Sequence, residues 1–227
     1  MRNLLKFVAT LIVTFLVMFA FRALAFTVYT VPSDGLAPTL RQGDRVLVNR
    51  WSYGLRAGGT TLFPYERIMR SPVKGNDVVV FNSPLDTIDS VSDKPVFIGR
   101  CRAVPGDTIW LNKQTPLVIP GRCNMVRVEK WNIKLICNTY MIHEHRHAEI
   151  HNDTLYIDGK ETHCASFSQN YYWVESLGKK SFVDSRYFGL VPESHIIGRA
   201  VGVLFSKDSR LPFYDGYDAN RIMLSIK

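Results

Sequence analysis

Between Val31 and Leu40 the chain reads Val-Pro-Ser-Asp-Gly-Leu-Ala-Pro-Thr-Leu, and Gln42 to Asn49 follow as Gln-Gly-Asp-Arg-Val-Leu-Val-Asn. In Pro32-Ser33-Asp34-Gly35, proline fixes φ, Ser and Asp bond local amides, and glycine accepts a positive φ; by that chemistry alone the segment is a turn. The run Arg45-Val46-Leu47-Val48 after it has the β-branched content of a strand. Working outward toward the C-terminus, similar short runs recur at Asp77 to Phe81, Thr108 to Leu111 and Gly198 to Phe205, separated by Gly, Pro, Asn and Asp. Asp158-Gly159, between Thr154-Leu155-Tyr156-Ile157 and Lys160-Glu161-Thr162, predicts a hairpin. No long 3.6-residue period follows the N-terminal segment, so the expected fold is mainly β with helix a minor component. There is no internal repeat and no low-complexity tract.

In the other direction, Phe7 to Phe21 is uncharged and almost wholly apolar, with Arg2 and Lys6 before it and Arg22 after it. Fifteen residues of helix rise about 22 Å, short of the roughly 30 Å hydrocarbon core of a bilayer. Extension from Leu4 to Phe26, with Lys6 and Arg22 snorkelling toward opposite interfaces, makes one membrane anchor. The same residues also read as a cleavable signal peptide, with Ala23-Leu24-Ala25 as a small-x-small cleavage site. Arg2 and Lys6 place the N-terminus in the cytoplasm and the remaining domain across the membrane. About 200 residues then remain, enough for one sizeable core or two small ones. The formal charge of +8 comes from 28 Lys and Arg against 20 Asp and Glu, spread through the chain. No nucleic-acid module is visible, which leaves attraction to anionic lipid head groups or a merely solvated basic surface. Four cysteines, Cys101, Cys123, Cys137 and Cys164, allow up to two disulfides in an exported domain. Cys123 with Cys137 is the preferred pair, closing a short loop, and Cys101 reads as a small packed apolar residue.

An apolar N-terminal stretch followed by this Pro-Ser turn and strand resembles type I signal peptidases, membrane-bound serine proteases of the Ser/Lys dyad type. In that family a Pro-Ser-x-Ser-Met-x-Pro-Thr-Leu element carries the nucleophile in its second serine. Pro32, Ser33, Pro38, Thr39 and Leu40 fall on its other fixed positions, and Gly35 falls on the nucleophile. A second family element, Lys-Arg-x-x-Gly-x-Pro-Gly-Asp, matches here at Arg100, Pro105, Gly106 and Asp107, and the general-base position falls on Gly99. A third aligns to Ser176 through Arg186 and matches at Asp184, Ser185 and Arg186. There Leu177 and Gly178 replace an Asp-Asn pair, and Phe182 replaces the serine that orients the lysine. The resemblance covers residues 1 to 110 and 153 to 205.

A serine hydroxyl is a weak nucleophile until a base removes its proton, so the family chemistry needs both groups within hydrogen-bonding reach. Glycine supplies neither. Ser33 is similar to the family's oxyanion-hole serine, and its retention leaves half of a hole without a nucleophile. The resemblance therefore implies a catalytically inactive member of the signal-peptide processing system that binds exported preproteins or regulates an active paralogue. The alternative is an active signal peptidase I-type endopeptidase with an altered nucleophile or base. Ser33 acting with Lys94 is one such alteration, although at strand rise Lys94 lies about 16 Å from the base position.

The implied architecture is an N-terminal anchor over residues 1–26, a twisted antiparallel β core over 27–110, an inserted smaller β domain over 111–172, and a return to the core with a C-terminal tail over 173–227. The walls of the implied substrate groove fall at Val28, Tyr29, Val31, Pro32 and Ser33 on one side and Ile98, Arg100 and Cys101 on the other. Asp184 and Arg186 are expected to pair in the core. The implied location is the bacterial cytoplasmic membrane with the main domain extracytoplasmic, the implied partners are signal-peptide-bearing preproteins and the lipid bilayer, and no cofactor is called for. One pattern lies outside the resemblance. On a strand, His143, His145 and His147 project from one face, and histidines two apart can share a zinc ion. An exposed polar strand or loop of the inserted domain is the other reading of that segment.

Overall fold

The computed structural model describes residues 2–57, 65–85, 91, 94–122, 124–177, 183–208, 210–212 and 214–226. Helix α1, Arg2–Ala25, leads directly into strand β1, Phe26–Thr30. Its side chains from Lys6 to Phe19 are all exposed. No helix among the described residues is long and apolar enough to cross a membrane. The physical limit is the uncharged run bounded by Lys6 and Arg22, fifteen residues long, which falls about 8 Å short of a typical hydrocarbon core.

The main sheet continues with β2 (Asp44–Asn49), β3 (Val78–Asn82), β4 (Val96–Ala103), β5 (Tyr171–Glu175), β6 (Val191–Pro192) and β7 (Ile196–Lys207). Its order is β1-β2-β7-β3-β4-β5-β6, and each neighbouring pair is antiparallel. Tyr217–Asp218 and Leu224–Ser225 add to the edge of the long strand β7, which bends through register shifts against both β2 and β3. The unbroken apolar run Val78-Val79-Val80-Phe81 lies centrally and is buried on both faces. Because side chains alternate along a strand, Val78 and Val80 join one cluster with Leu36, Leu40, Val46 and Val48. Val79 and Phe81 join another with Tyr53, Cys101, Tyr172 and Val174.

The C-terminal segment holds the loop between β1 and β2 in place. Buried Arg221 donates from Nε to Asp44 Oδ1 at 2.9 Å and from Nη2 to the Thr39 carbonyl at 3.0 Å. The Asp44 carboxylate also accepts the Arg41 amide.

Residues between β4 and β5 build a third cluster that includes Leu117, Leu155, Phe167 and, from β5, Tyr171 and Trp173. Helix α2, Ile133–His143, lies in this stretch, so it is not the purely β segment expected from the sequence. Ile133, Ile136, Cys137 and Tyr140 face the cluster at helical spacing, and burial of that apolar stripe drives the helix. His143 is its last residue, Glu144 its C-cap, and His145 sits at φ 51°. His143, His145 and His147 therefore do not share a strand face. Among the described residues no group of three or more His, Cys, Asp or Glu side chains could hold a metal ion.

The hairpin expected at Asp158-Gly159 is present. Both turn residues have positive φ, 49° and 76°, as a type I′ turn requires, and Ile157 pairs with Lys160. Cys101 and Cys137 are buried free thiols and Cys164 is exposed. Cys123, and with it the preferred Cys123 to Cys137 bridge, lies outside the described residues.

Candidate functional site

After β1 the chain makes a self-bonded excursion and returns to β2. The Val31 amide donates to the Asp44 carbonyl at 2.9 Å, and Gly43 donates back to the Val31 carbonyl at 3.0 Å. Within the loop, Asp34 Oδ1 accepts the Gln42 amide at 2.8 Å and the Asp34 carbonyl accepts the Ala37 amide. Gly35 is buried, and its carbonyl accepts the Leu177 amide at 2.8 Å, which ties this loop to the chain leaving β5. Gly43, Gly54 and Gly106 are among the described glycines with positive φ, and Gly35 is not. The turn expected here forms without a left-handed glycine.

On the opposite side stands β4. Its first half, Val96 to Gly99, pairs with β3, while β5 pairs only with Arg100, Cys101 and Ala103. One edge of Val96 to Gly99 thus has no partner strand among the described residues.

A cleft of about 240 Å³ lies between the loop and this open edge. Val31, Pro32, Ser33, Gly35 and Leu36 line it from the loop, and Phe81, Phe97, Ile98 and Gly99 from the sheet. Val174, Ser176, Val183 and Asp184 close it at the end of β5. Gly35 and Gly99, distant in sequence, therefore open onto one cavity together with Ser33.

Of the predicted groove walls, Val31, Pro32, Ser33 and Ile98 line the cleft, while Val28, Tyr29, Arg100 and Cys101 do not. Val28 and Tyr29 lie earlier, on β1 against β2. The reason for the other two is the pairing of β5, which covers β4 from Arg100 onward. The Arg100 guanidinium turns to the Asn76 carbonyl and side-chain oxygen, both at 3.1 Å. Cys101 is fully buried, and burial, with help from the Asp77 and Asp107 charges, pushes its thiol up to about 12. Lys94 does not line the cleft; it is 7% exposed, and its charge acts on His143 and His195 instead.

The polar end of the cleft is a closed network. Ser176 Oγ is 2.9 Å from Asp184 Oδ2 and accepts from Arg186 Nη2 at 3.1 Å, while Arg186 Nε reaches both Asp184 oxygens at 3.1 Å. Asp184 is 4% exposed. Burial by itself would raise its carboxyl, yet hydrogen bonds from Arg186 and Ser176 outweigh that and hold it below the usual range. A carboxylate so held is a weak proton acceptor at neutral pH. Ser176 was not among the predicted site residues, although it opens the Ser176 to Arg186 element; Leu36, Phe81, Phe97, Val174 and Val183 carry no local signal of a shared cleft. Gly178 and Phe182, two replacements within that element, lie outside the described residues.

Comparison with known proteins bears on this geometry. Residues 4–205 match the family described as Signal peptidase, peptidase S26. Signal peptidase I of Buchnera aphidicola subsp. Schizaphis graminum is 23% identical over 244 residues, covering 89% of this chain and 75% of that protein. Signal peptidase IB of Staphylococcus aureus is 25% identical over 203 residues, covering 87% of each chain. The family match takes in both cleft-forming glycine segments and nearly all of the chain, which therefore belongs to the signal peptidase S26 family.

Proposed function

We propose that this chain is a non-cleaving member of its family that holds the extended segment of a signal-peptide-bearing preprotein. The observation that carries the reading is the glycine at both dyad positions, Gly35 and Gly99, on one cleft. Among the described residues the hydroxyls lining the cleft are Ser33 and Ser176, and the carboxylate beside them, Asp184, is already committed to Arg186 and Ser176. In the serine-protease template, loss of a catalytic member leaves only about 10³ to 10⁴ over water.

Binding needs none of those groups. An extended peptide laid beside Val96 to Gly99 gains backbone hydrogen bonds, and the apolar lining receives its side chains. Two features support a membrane location. The side chains of α1 from Phe7 to Phe19 are exposed and almost wholly apolar, a surface favoured in lipid. A basic domain is also drawn to anionic head groups. On this reading the domain lies on the extracytoplasmic side of a bacterial cytoplasmic membrane, where an active paralogue is a further candidate partner. The hydrophobic clusters support division into an anchor, a β core and an inserted domain.

The test is a preprotein incubated with detergent-solubilised natural protein, read for cleavage and for co-elution. The expected result is a complex with intact preprotein and no product, with the complex lost in Phe97→Asp. Product formation by the natural protein, abolished in Ser33→Ala, would instead establish an endopeptidase with an altered nucleophile.

A further inference from the structure

Gly99 differs from an ordinary missing side chain. A Cβ added there would stand 2.4 Å from Cγ1 of Val174, far inside carbon–carbon contact. The next nearest atoms, the Glu175 carbonyl oxygen and Phe81 Cε1, are both 3.6 Å away, which is ordinary contact. The conflict is therefore with a single methyl group. Val174 is fully buried among Val79, Phe81, Cys101, Tyr172 and Val191, and its amide donates to Ser185 Oγ at 2.9 Å. A β-branched side chain is stiff at χ1, so this methyl yields only by a change of rotamer or a shift of the backbone. A register shift between Trp173 and Val174 sets this placement, with Val174 opposite Cys101.

We infer that Val174 is a blocking residue, whose methyl fills the space through which any side chain at the general-base position must leave the backbone. The inference rests on the non-cleaving reading and extends it: the base is missing as a residue, and a valine methyl stands where its first side-chain carbon would go. A lysine introduced at position 99 displaces Val174 or is itself pushed from the cleft, so restoring the two dyad residues does not restore the chemistry. Truncation of Val174 to alanine removes the only contact under 3.6 Å among the described residues and lets the base enter.

The experiment pairs a stability cycle with a cleavage series on the full chain in detergent. Gly99→Ala is expected to lower the thermal midpoint by about 5 °C or more, and Gly99→Ala/Val174→Ala to melt above Gly99→Ala. That comparison requires no folded Val174→Ala protein. In the cleavage series, Gly35→Ser/Gly99→Lys/Val174→Ala is expected to process a preprotein about tenfold or more faster than Gly35→Ser/Gly99→Lys. Absence of any cost from Gly99→Ala, a double variant no more stable than the single, or equal cleavage by the two restored variants would each overturn the blocking role. Cleavage by the natural protein would sink the non-cleaving reading separately, with the stability cycle still deciding what Val174 does.

Discussion

At Gly35 no positive φ demands glycine, and at Gly99 one added carbon meets Val174 at 2.4 Å. Replacement at 99 requires Val174 to move. A third residue shows how the cleft is held. Arg221 is 6% exposed and its partner Asp44 fully buried, with burial acting against the Asp44 charge and the Arg221 hydrogen bond favouring it. Arg221→Met removes the compensating cation and leaves a buried carboxylate. The expected cost is about 3–5 kcal/mol, measured as a lowered urea midpoint. A loss below about 1 kcal/mol would mean that the Arg41 amide and water satisfy Asp44 without it.

Among the elements, α2 and the corner leading into β7 meet at a pair of histidines. The rings of His143 and His195 are 5.4 Å apart, and Ser194 Oγ lies 3.2 Å from His195 Nδ1. Lys94, Arg56 and His145 are the cationic groups acting on the pair. Burial, then Lys94 and His145, lowers His143 to about 4; burial, then His143, Lys94 and Arg56, lowers His195 to about 2. Unfolded histidine titrates near 6.5, so below that pH the unfolded chain binds more protons than the folded one. Stability from the neutral pair is complete above pH 6.5 and declines as pH falls toward the folded values. Urea unfolding at pH 7, 5.5 and 4.5 is expected to show this decline, and His143→Gln to make it shallower. An unchanged slope in that variant would remove His143 from the account.

On the scale of the whole molecule, the three buried clusters contain no side chain of α1 among the described residues, although Ala25 at its end is buried. Deletion of residues 1–24 is therefore expected to leave the thermal midpoint of the β domain within about 3 °C while removing flotation with uncharged lipid vesicles. A larger drop would show that the helix packs on the domain. Much of this architecture was legible locally. Asp77 to Phe81 reads as a strand because of its β-branched run, and Asp158-Gly159 reads as a hairpin because both residues tolerate positive φ. Helix α2 was legible too, in Ile133, Ile136, Cys137 and Tyr140, but the neighbouring histidines offered a competing period of two. The sequence by itself determined that positions 35 and 99 carry no functional group, since glycine has none whatever surrounds it. Only the tertiary structure decided that Gly35 and Gly99 share a cleft, that β5 covers Arg100 and Cys101, and that a side chain at position 99 would meet Val174. Those are outcomes of sheet register and close packing between segments far apart in the chain, and no local pattern of residues encodes them.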